Sequence, residues 1–393
     1  MNPYNWPLIN DNITAQDREV LSQFCLHGER FTNGPKVAEF EKLWSRWLGV
    51  KYSAMVNSGA SANFISIAIV KYLKGLGEVI VPTIGWVSDI SSIIQLGMTP
   101  ILVDVKMGNL GASENEIETL ITPKTKAIVL VHALGFNALN NKIIELAKKH
   151  DIMLIEDCCE AHGATFGDKK VGSIGDISVF SFYFGHHITT IEGGMICVNE
   201  LGLYDLAKMF RSHGMTRESS PHIQDLYKKS NPNLNPLFTF AVPGFNMRST
   251  ELNAVLGIEQ MNRLDYNIER RRQNLDIWLK NLDSKLYFTS FEVEGNSSFA
   301  LPLILNPETE KNVSHNDLMF EIIRVLETEK VEYRIGTAGG GNQALQPYIE
   351  EHIPENVVYP NADYIHYFSL YIGNHPELNE EQIINLCKKL NNV

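Results

Sequence analysis

Between residues 52 and 155 the chain alternates strand-like and helix-like stretches, and few folds accept that rhythm. Short apolar runs at 52–57, 78–81, 100–103, 127–131 and 152–155 are separated by helical stretches: one from the turn at 58 to about 73, then 87–96, 114–121 and 141–150. Strands joined through helices in this way lie parallel, and a parallel sheet needs helices on both faces. The reading is an α/β protein with a mostly parallel sheet. Upstream, Thr14 caps a first helix, and Gly34-Pro35 opens a second over 37–48 with Phe40, Leu43 and Trp47 on one face. Downstream, apolar runs at 177–183 and 195–198 read as strands, 200–212 as a helix and the Asn/Pro-rich stretch 218–237 as a loop. A helix containing Ala254, Leu256, Gly257 and Gln260 follows, then a long charged helix over about 262–284. A chain of 393 residues is too long for one small core. We expect a large domain with an N-terminal arm over 1–260 and a smaller C-terminal α+β domain over 261–393.

Composition removes several classes of function. Apolar residues make up 44% and charged residues 20%, as in ordinary soluble globular proteins. A net charge of −12 and a pI near 5.5 argue against nucleic acid or an anionic membrane as partner. Five cysteines, at 25, 158, 159, 197 and 387, show neither CxxC nor metal-ligand spacing, so no metal is expected and a reducing cytoplasm suits them. The N-terminus lacks the basic-then-apolar pattern of a signal peptide, and no apolar run approaches membrane-spanning length. No GxGxxG follows the first strand, which counts against a dinucleotide site.

In an open parallel sheet, ligands bind at the carboxyl ends of the strands. Ser58, Trp86 and Asp157 each follow a strand and should reach that edge. Ser58-Gly59-Ala60 stands between a strand and a helix start. Free N–H groups and the helix dipole make that a place for an anion, although a serine there also serves as a plain cap. Glu156-Asp157-x-x-Glu160 offers paired carboxylates for a metal or for acid/base chemistry; Asp157 with Glu160 also reads as a capping box. The stretch from Ser181 to Gly194 carries His186, His187, two threonines, Glu192 and a glycine pair between two apolar runs. A plain hairpin has no use for these polar groups, though a His-His pair also occurs in solvated loops. Arg211, His213 and Arg217 are spaced to line a pocket mouth or to end a solvated helix. Gly339-Gly-Gly341 is either a close approach to a ligand or a mobile turn.

Taken in order, Ser58-Gly-Ala60, Trp86, Glu156-Asp157-x-x-Glu160, Ser181 to Gly194 and Gly244-Phe-Asn246-x-Arg248 resemble the DegT/DnrJ/EryC1/StrS sugar aminotransferases, which use pyridoxal phosphate. The resemblance runs from about Phe31 to the end of the chain. It implies an aspartate-aminotransferase-like fold (fold type I) and a homodimer with shared active sites. It places Asp157 on the pyridinium nitrogen, Glu160 near the ring hydroxyl and Trp86 against the ring. The phosphate falls to Gly59, Ala60 and Ser181, next to Ser58, and to Asn246 of the neighbouring subunit. It further implies that Arg211, His213, Arg217, Arg248, Glu332, Arg334 and His375 face a nucleotide-linked sugar. The segment around Gly373-Asn-His375-Pro resembles one that returns toward the active site.

One position departs from the family. Its loop reads Ser-Phe, three residues, Lys, then Glu-Gly-Gly; here His186 stands where the lysine belongs, six residues before Glu192. A lysine amine forms a Schiff base with an aldehyde cofactor. An imidazole forms no stable one and only moves protons, with an ordinary pKa of about 6.5 against about 10.4 for lysine. The cofactor is therefore expected to be non-covalent, favouring pyridoxamine 5'-phosphate over pyridoxal 5'-phosphate, with His186 as the base. This is the pattern of the family's 3-dehydratase branch. The implied reaction removes the C3 hydroxyl of a nucleotide-linked 4-keto-6-deoxysugar, with L-glutamate regenerating the amine form. The resemblance favours GDP as the nucleotide. Residues 211–250 contain no cysteine, so the iron–sulfur cluster of related dehydrases is not expected. An aminotransferase without its lysine, and a non-catalytic binding protein, are the competing readings.

Overall fold

The computed structural model describes residues 3–309, 314–354 and 357–393. Helices α1 (Ala15–His27) and α2 (Pro35–Leu48) precede the sheet. Then β1 (Tyr52–Val56), α3 (Gly59–Lys74), β2 (Glu78–Pro82), α4 (Val87–Gln95), β3 (Thr99–Val103), α5 (Glu114–Leu120), β4 (Thr125–Val131), α6 (Asn141–Lys149) and β5 (Met153–Asp157) follow in the expected alternation. A two-residue pair, β6 (Thr165–Phe166) and β7 (Lys169–Lys170), leads to β8 (Ile177–Ser181) and β9 (Gly194–Val198). The strand order is β1-β9-β8-β5-β4-β2-β3. Only β9 runs against the others, pairing antiparallel with both β1 and β8.

Period-two alternation builds two cores, one on each face of this sheet. Ala54, Val56, Val79, Val81, Val129, Ile155 and Val179 face one side, where α3, with Ile65 and Ile69, covers them. Their neighbours Met55, Ile80, Ile128, Leu130, Leu154 and Phe180 face the other, under Phe40 and Trp44 of α2. Each large side chain buried this way contributes about 1.5–3 kcal/mol.

The chain continues through α7 (Leu201–Arg211), α8 (Pro221–Ser230), α9 (Glu251–Met261) and α10 (Leu264–Asn281). Helix α8 corrects the loop expected over 218–237. Pro221 at its first turn supplies a preset φ, and a short apolar stripe of Ile223, Leu226 and Tyr227 lays the helix on the surface with no fully buried residue. Beyond α10, strands β10 (Ala300–Ile304), β11 (Tyr333–Ile335) and β12 (Ser369–Gly373) form an antiparallel sheet in the order β10-β12-β11. Helices α11 (His315–Thr328), α12 (Pro360–Phe368) and α13 (Glu380–Leu390) belong to this half. The N-terminal arm also attaches here. Asn5 N donates to Lys330 O (2.9 Å), Glu332 N to Trp6 O (2.9 Å), and Trp6 Nε1 to Gly373 O (2.8 Å).

Two glycine positions decide how the sheet edge closes. A Cβ on Gly194 would lie 2.3 Å from Ser58 O, so only glycine lets the start of β9 pass against the turn before α3. Gly339 has φ +75°, and a Cβ there would lie 2.7 Å from Gly85 O. The triple glycine is thus a turn packed against the Gly85-Trp86 backbone.

Candidate active site

The carboxyl ends of β1, β2, β4, β5 and β8 open onto a cavity of about 690 Å³, which is lined by Ser58, Gly59, Ala60, Trp86, Asp157, Glu160, Ser181, His186, Arg334 and His375. Ten positions singled out from the sequence therefore line one cavity, eight from the edge of the large sheet and Arg334 and His375 from the smaller half. The arm closes one wall with Ile9 to Asn12, residues the sequence reading did not assign to a site.

Ser58 serves as the helix cap and leaves the turn beside it open to an anion. Its hydroxyl caps α3, accepting from Ser61 N at 3.1 Å, while the amides of Gly59 and Ala60 sit in the first turn, where no intrahelical acceptor exists. A Cβ on Gly59 would lie 2.7 Å from Ser181 Cβ and 3.1 Å from Ser181 Oγ. Helix start and serine hydroxyl thus form one cradle, suited to a phosphate.

Glu156 and Asp157 divide their work. Glu156 accepts from Gly172 N, Ile174 N and Gly175 N, at 2.7, 3.1 and 2.6 Å, and lies 3.3 Å from His132. His132, Glu156 and Cys158 cluster closely, but these backbone contacts occupy the carboxylate, so it is a structural tie. Asp157 points the other way, into the cavity, accepting from Asn63 Nδ2 (2.7 Å) and Cys159 N (2.8 Å). No helix starts here, so the capping-box reading fails. Glu160 accepts from Leu134 N at 2.7 Å. Burial pushes its carboxyl up to about 7, with Asp157 adding to the rise and Leu134 N–H and Arg334 opposing it.

The two histidines have separate environments. His187 is fully buried and its Nε2 lies 3.0 Å from Ser297 O. A carbonyl oxygen only accepts, so Nε2 carries the proton and donates. The His186 ring makes no hydrogen bond among the described residues; its Nδ1 is closed off from solvent, which leaves Nε2 to face the cavity. Burial pushes His186 down to about 4, Asp157 pulling it up and Arg271 pushing it further down. It is neutral at neutral pH and open to a proton. His375 is likewise pushed down to about 4, by burial and by Arg271.

Other positions correct the reading. Arg211 does not face a ligand: it is 2% exposed, and its Nη1 donates to Glu41 Oε1 (2.6 Å) and Met55 O (2.8 Å). α7 lies against β1, and that packing turns the guanidinium inward. Glu332 accepts from Leu8 N at 2.8 Å and holds the arm; its side chain does not line the cavity. His213 and Arg217 are exposed outside it, the Arg217 guanidinium lying 5.4 Å from the Phe238 ring. Asn246 is exposed, Arg248 is partly buried, and neither lines the cavity of its own chain. Sequence reading missed Asn63, Asp89 and Arg271, which do bear on the site. Asn63 had a signal: it is a polar side chain inside an apolar helix.

The cavity, its carboxylates and its helix-start cradle define the class. The chain belongs to the DegT/DnrJ/EryC1/StrS aminotransferase family, whose model matches residues 12–391. It is 32% identical to GDP-4-keto-6-deoxy-D-mannose 3-dehydratase of Yersinia pseudotuberculosis over 97% of each chain. A solved GDP-4-keto-6-deoxymannose-3-dehydratase, a histidine-to-asparagine variant with bound GDP-perosamine, superposes with a TM-score of 0.86 at 29% identity. That match covers 98% of this chain and 100% of the other. A second structure of that enzyme, with a trapped PLP-glutamate geminal diamine, gives 0.85 at 28% identity, covering 98% and 100%. The fold is the expected aspartate-aminotransferase-like one.

Proposed function

We propose that the protein is a lyase: a 3-dehydratase of a nucleotide-linked 4-keto-6-deoxysugar, with GDP as the nucleotide, using non-covalent pyridoxal or pyridoxamine phosphate and L-glutamate. One observation carries the reading. Where the family holds its cofactor by lysine, this chain presents His186, its ring neutral, without a hydrogen bond among the described residues and facing the cavity that Asp157 enters.

The residues present fit the cofactor. The Gly59 and Ala60 amides and the Ser181 hydroxyl would hold its phosphate; Asp157 would accept from its ring nitrogen; Trp86, 52% exposed beside the cavity, would lie against the ring. When bound, pyridoxamine phosphate supplies an amine for the 4-keto group and a ring that takes up the electron pair on the way to losing the C3 hydroxyl. His186 Nε2 takes and holds the proton. An imidazole held by short loop backbone has less reach than a lysine, so it does not deliver that proton to sugar C4, the step that would make an amino sugar. Arg334 offers a cation to the nucleotide diphosphate.

We further propose a homodimer in which Asn246 of one protomer completes the other's phosphate site, for which its exposed position is suited. The division into 1–260 and 261–393, and a cytoplasmic setting, belong to the same reading. Incubation with glutamate and GDP-4-keto-6-deoxymannose should yield ammonia and a 3-deoxy-4-keto sugar. An amino sugar as product would mean transamination and overturn the reading.

A further inference from the structure

The carboxylate that meets the cofactor ring is not alone. Asn63 Nδ2 reaches Asp157 Oδ2 at 2.7 Å and Asp89 Oδ1 at 2.9 Å, and lies 3.3 Å from Ser88 Oγ. Both aspartates and the asparagine are at most 4% exposed. Asp89 sits in the first turn of α4, and its other oxygen accepts from Trp86 N at 3.0 Å. A helix cap needs only that second bond. The first oxygen is spent on the amide that also holds Asp157.

Two buried carboxylates on one amide nitrogen repel each other unless a proton or a cation joins them. The groups bearing on Asp89 are Asp157 and Glu160, both acidic, with the Cys159 thiol and the Tyr348 phenol nearby. None of these is a cation. Burial first, and Asp157 next, push the Asp89 carboxyl well above the usual carboxylate range. One proton on the pair relieves the repulsion.

We propose that Asp89 is a positioning residue for the cofactor's ring nitrogen: in the cofactor-free protein it shares one proton with Asp157, and the protonated ring nitrogen replaces that proton on binding. The charge balances. Before binding, two carboxylates and one proton carry −1. Afterwards, two carboxylates and a pyridinium carry −1, and one proton has left to solvent. Two carboxylates, rather than one, then hold the ring in its protonated form. This rests on the cofactor assignment above but not on the reaction.

The test is calorimetric titration of pyridoxamine phosphate into cofactor-free protein, in two buffers of different ionisation enthalpy, at neutral pH. Wild type should release about one proton more per site than Asp89→Asn, whose amide imitates the protonated acid. The phosphate and Glu160 contribute alike to both. Wild-type affinity should correspondingly rise with pH relative to the variant, approaching about tenfold per unit where the full proton is released. Equal proton counts would overturn the proposal. Should the variant not fold, infrared difference spectra of the wild type decide. Measured well above the value of about 7 for Glu160, the protonated-carboxyl stretch should be present before binding and lost after it. Its absence beforehand, or its persistence, overturns the proposal. Failure of pyridoxamine phosphate to bind at all would sink the cofactor assignment with it.

Discussion

Two stretches of this chain carry comparable polar motifs and come to opposite ends. Residues 156–194 supply Asp157, Glu160, Ser181 and His186, and all four converge on one cavity. Residues 211–248 supply Arg211, His213, Arg217, Asn246 and Arg248, and none lines that cavity in its own chain. The first stretch follows strands of a parallel sheet, whose register delivers successive strand ends to one edge. The second runs along the outer side of the edge strand β1, where Arg248 bridges Val56 and a buried Arg211–Glu41 pair secures one end, with Asn246 exposed between them. Motif composition alone does not separate them; position at the carboxyl end of a strand, rather than along the outside of the edge strand, does.

The sharpest way to break the comparison is at His186. His186→Asn should lower dehydration by about 10²–10⁴-fold, the usual contribution of a positioned base, while still binding pyridoxamine phosphate. His186→Lys should become covalently labelled when treated with pyridoxal phosphate and borohydride, as mass spectrometry would show, whereas wild type should not. Normal product formation by His186→Asn would move the base elsewhere.

Arg211 sharpens the other side. Removing one partner of a buried pair costs roughly 3–5 kcal/mol. Met55 N still donates to Glu41 in such a variant, which favours the lower end. Arg211→Met should therefore lower the urea midpoint and leave pyridoxamine phosphate affinity unchanged. A stable variant that lost sugar binding instead would restore Arg211 to the site.

The smallest effect is expected at Asn246. Loss of one hydrogen bond to a phosphate, about 1.5–3 kcal/mol at most when charge-assisted, should weaken cofactor binding about ten- to hundredfold in the intact dimer. Sedimentation should show that dimer at working concentration. A fully active monomer, or an Asn246→Ala variant of normal affinity, would place the second stretch outside the site altogether.

Much of this was legible from residue order. Alternation of apolar runs marked strands β1 to β5, and the Thr14 and Ser58 caps placed α1 and α3. Helix α8 was not read, because its apolar stripe of Ile223, Leu226 and Tyr227 is short, none of its residues is fully buried, and it sits in an Asn/Pro-rich stretch. Asp157 reaches the strand-end cavity as its position after β5 suggested, but Asp89, 68 positions earlier, looks like any first-turn carboxylate of a helix. The arm gave no sign that Trp6 would bridge Val331, 325 residues later and just ahead of β11.

Sequence by itself determined the chemistry available: a histidine in place of a lysine, a strand-turn-helix for an anion and an aspartate at a strand end. These follow from local rules, namely side-chain identity, period and caps. Tertiary structure alone decided which groups are free to act. His186 Nε2 faces the cavity while His187 is tied to Ser297; Arg211 is neutralised by Glu41 while Arg334 is left at the cavity wall. Availability depends on burial and on partners distant in sequence, because a buried polar group bonds whatever the packing brings within about 3 Å of it.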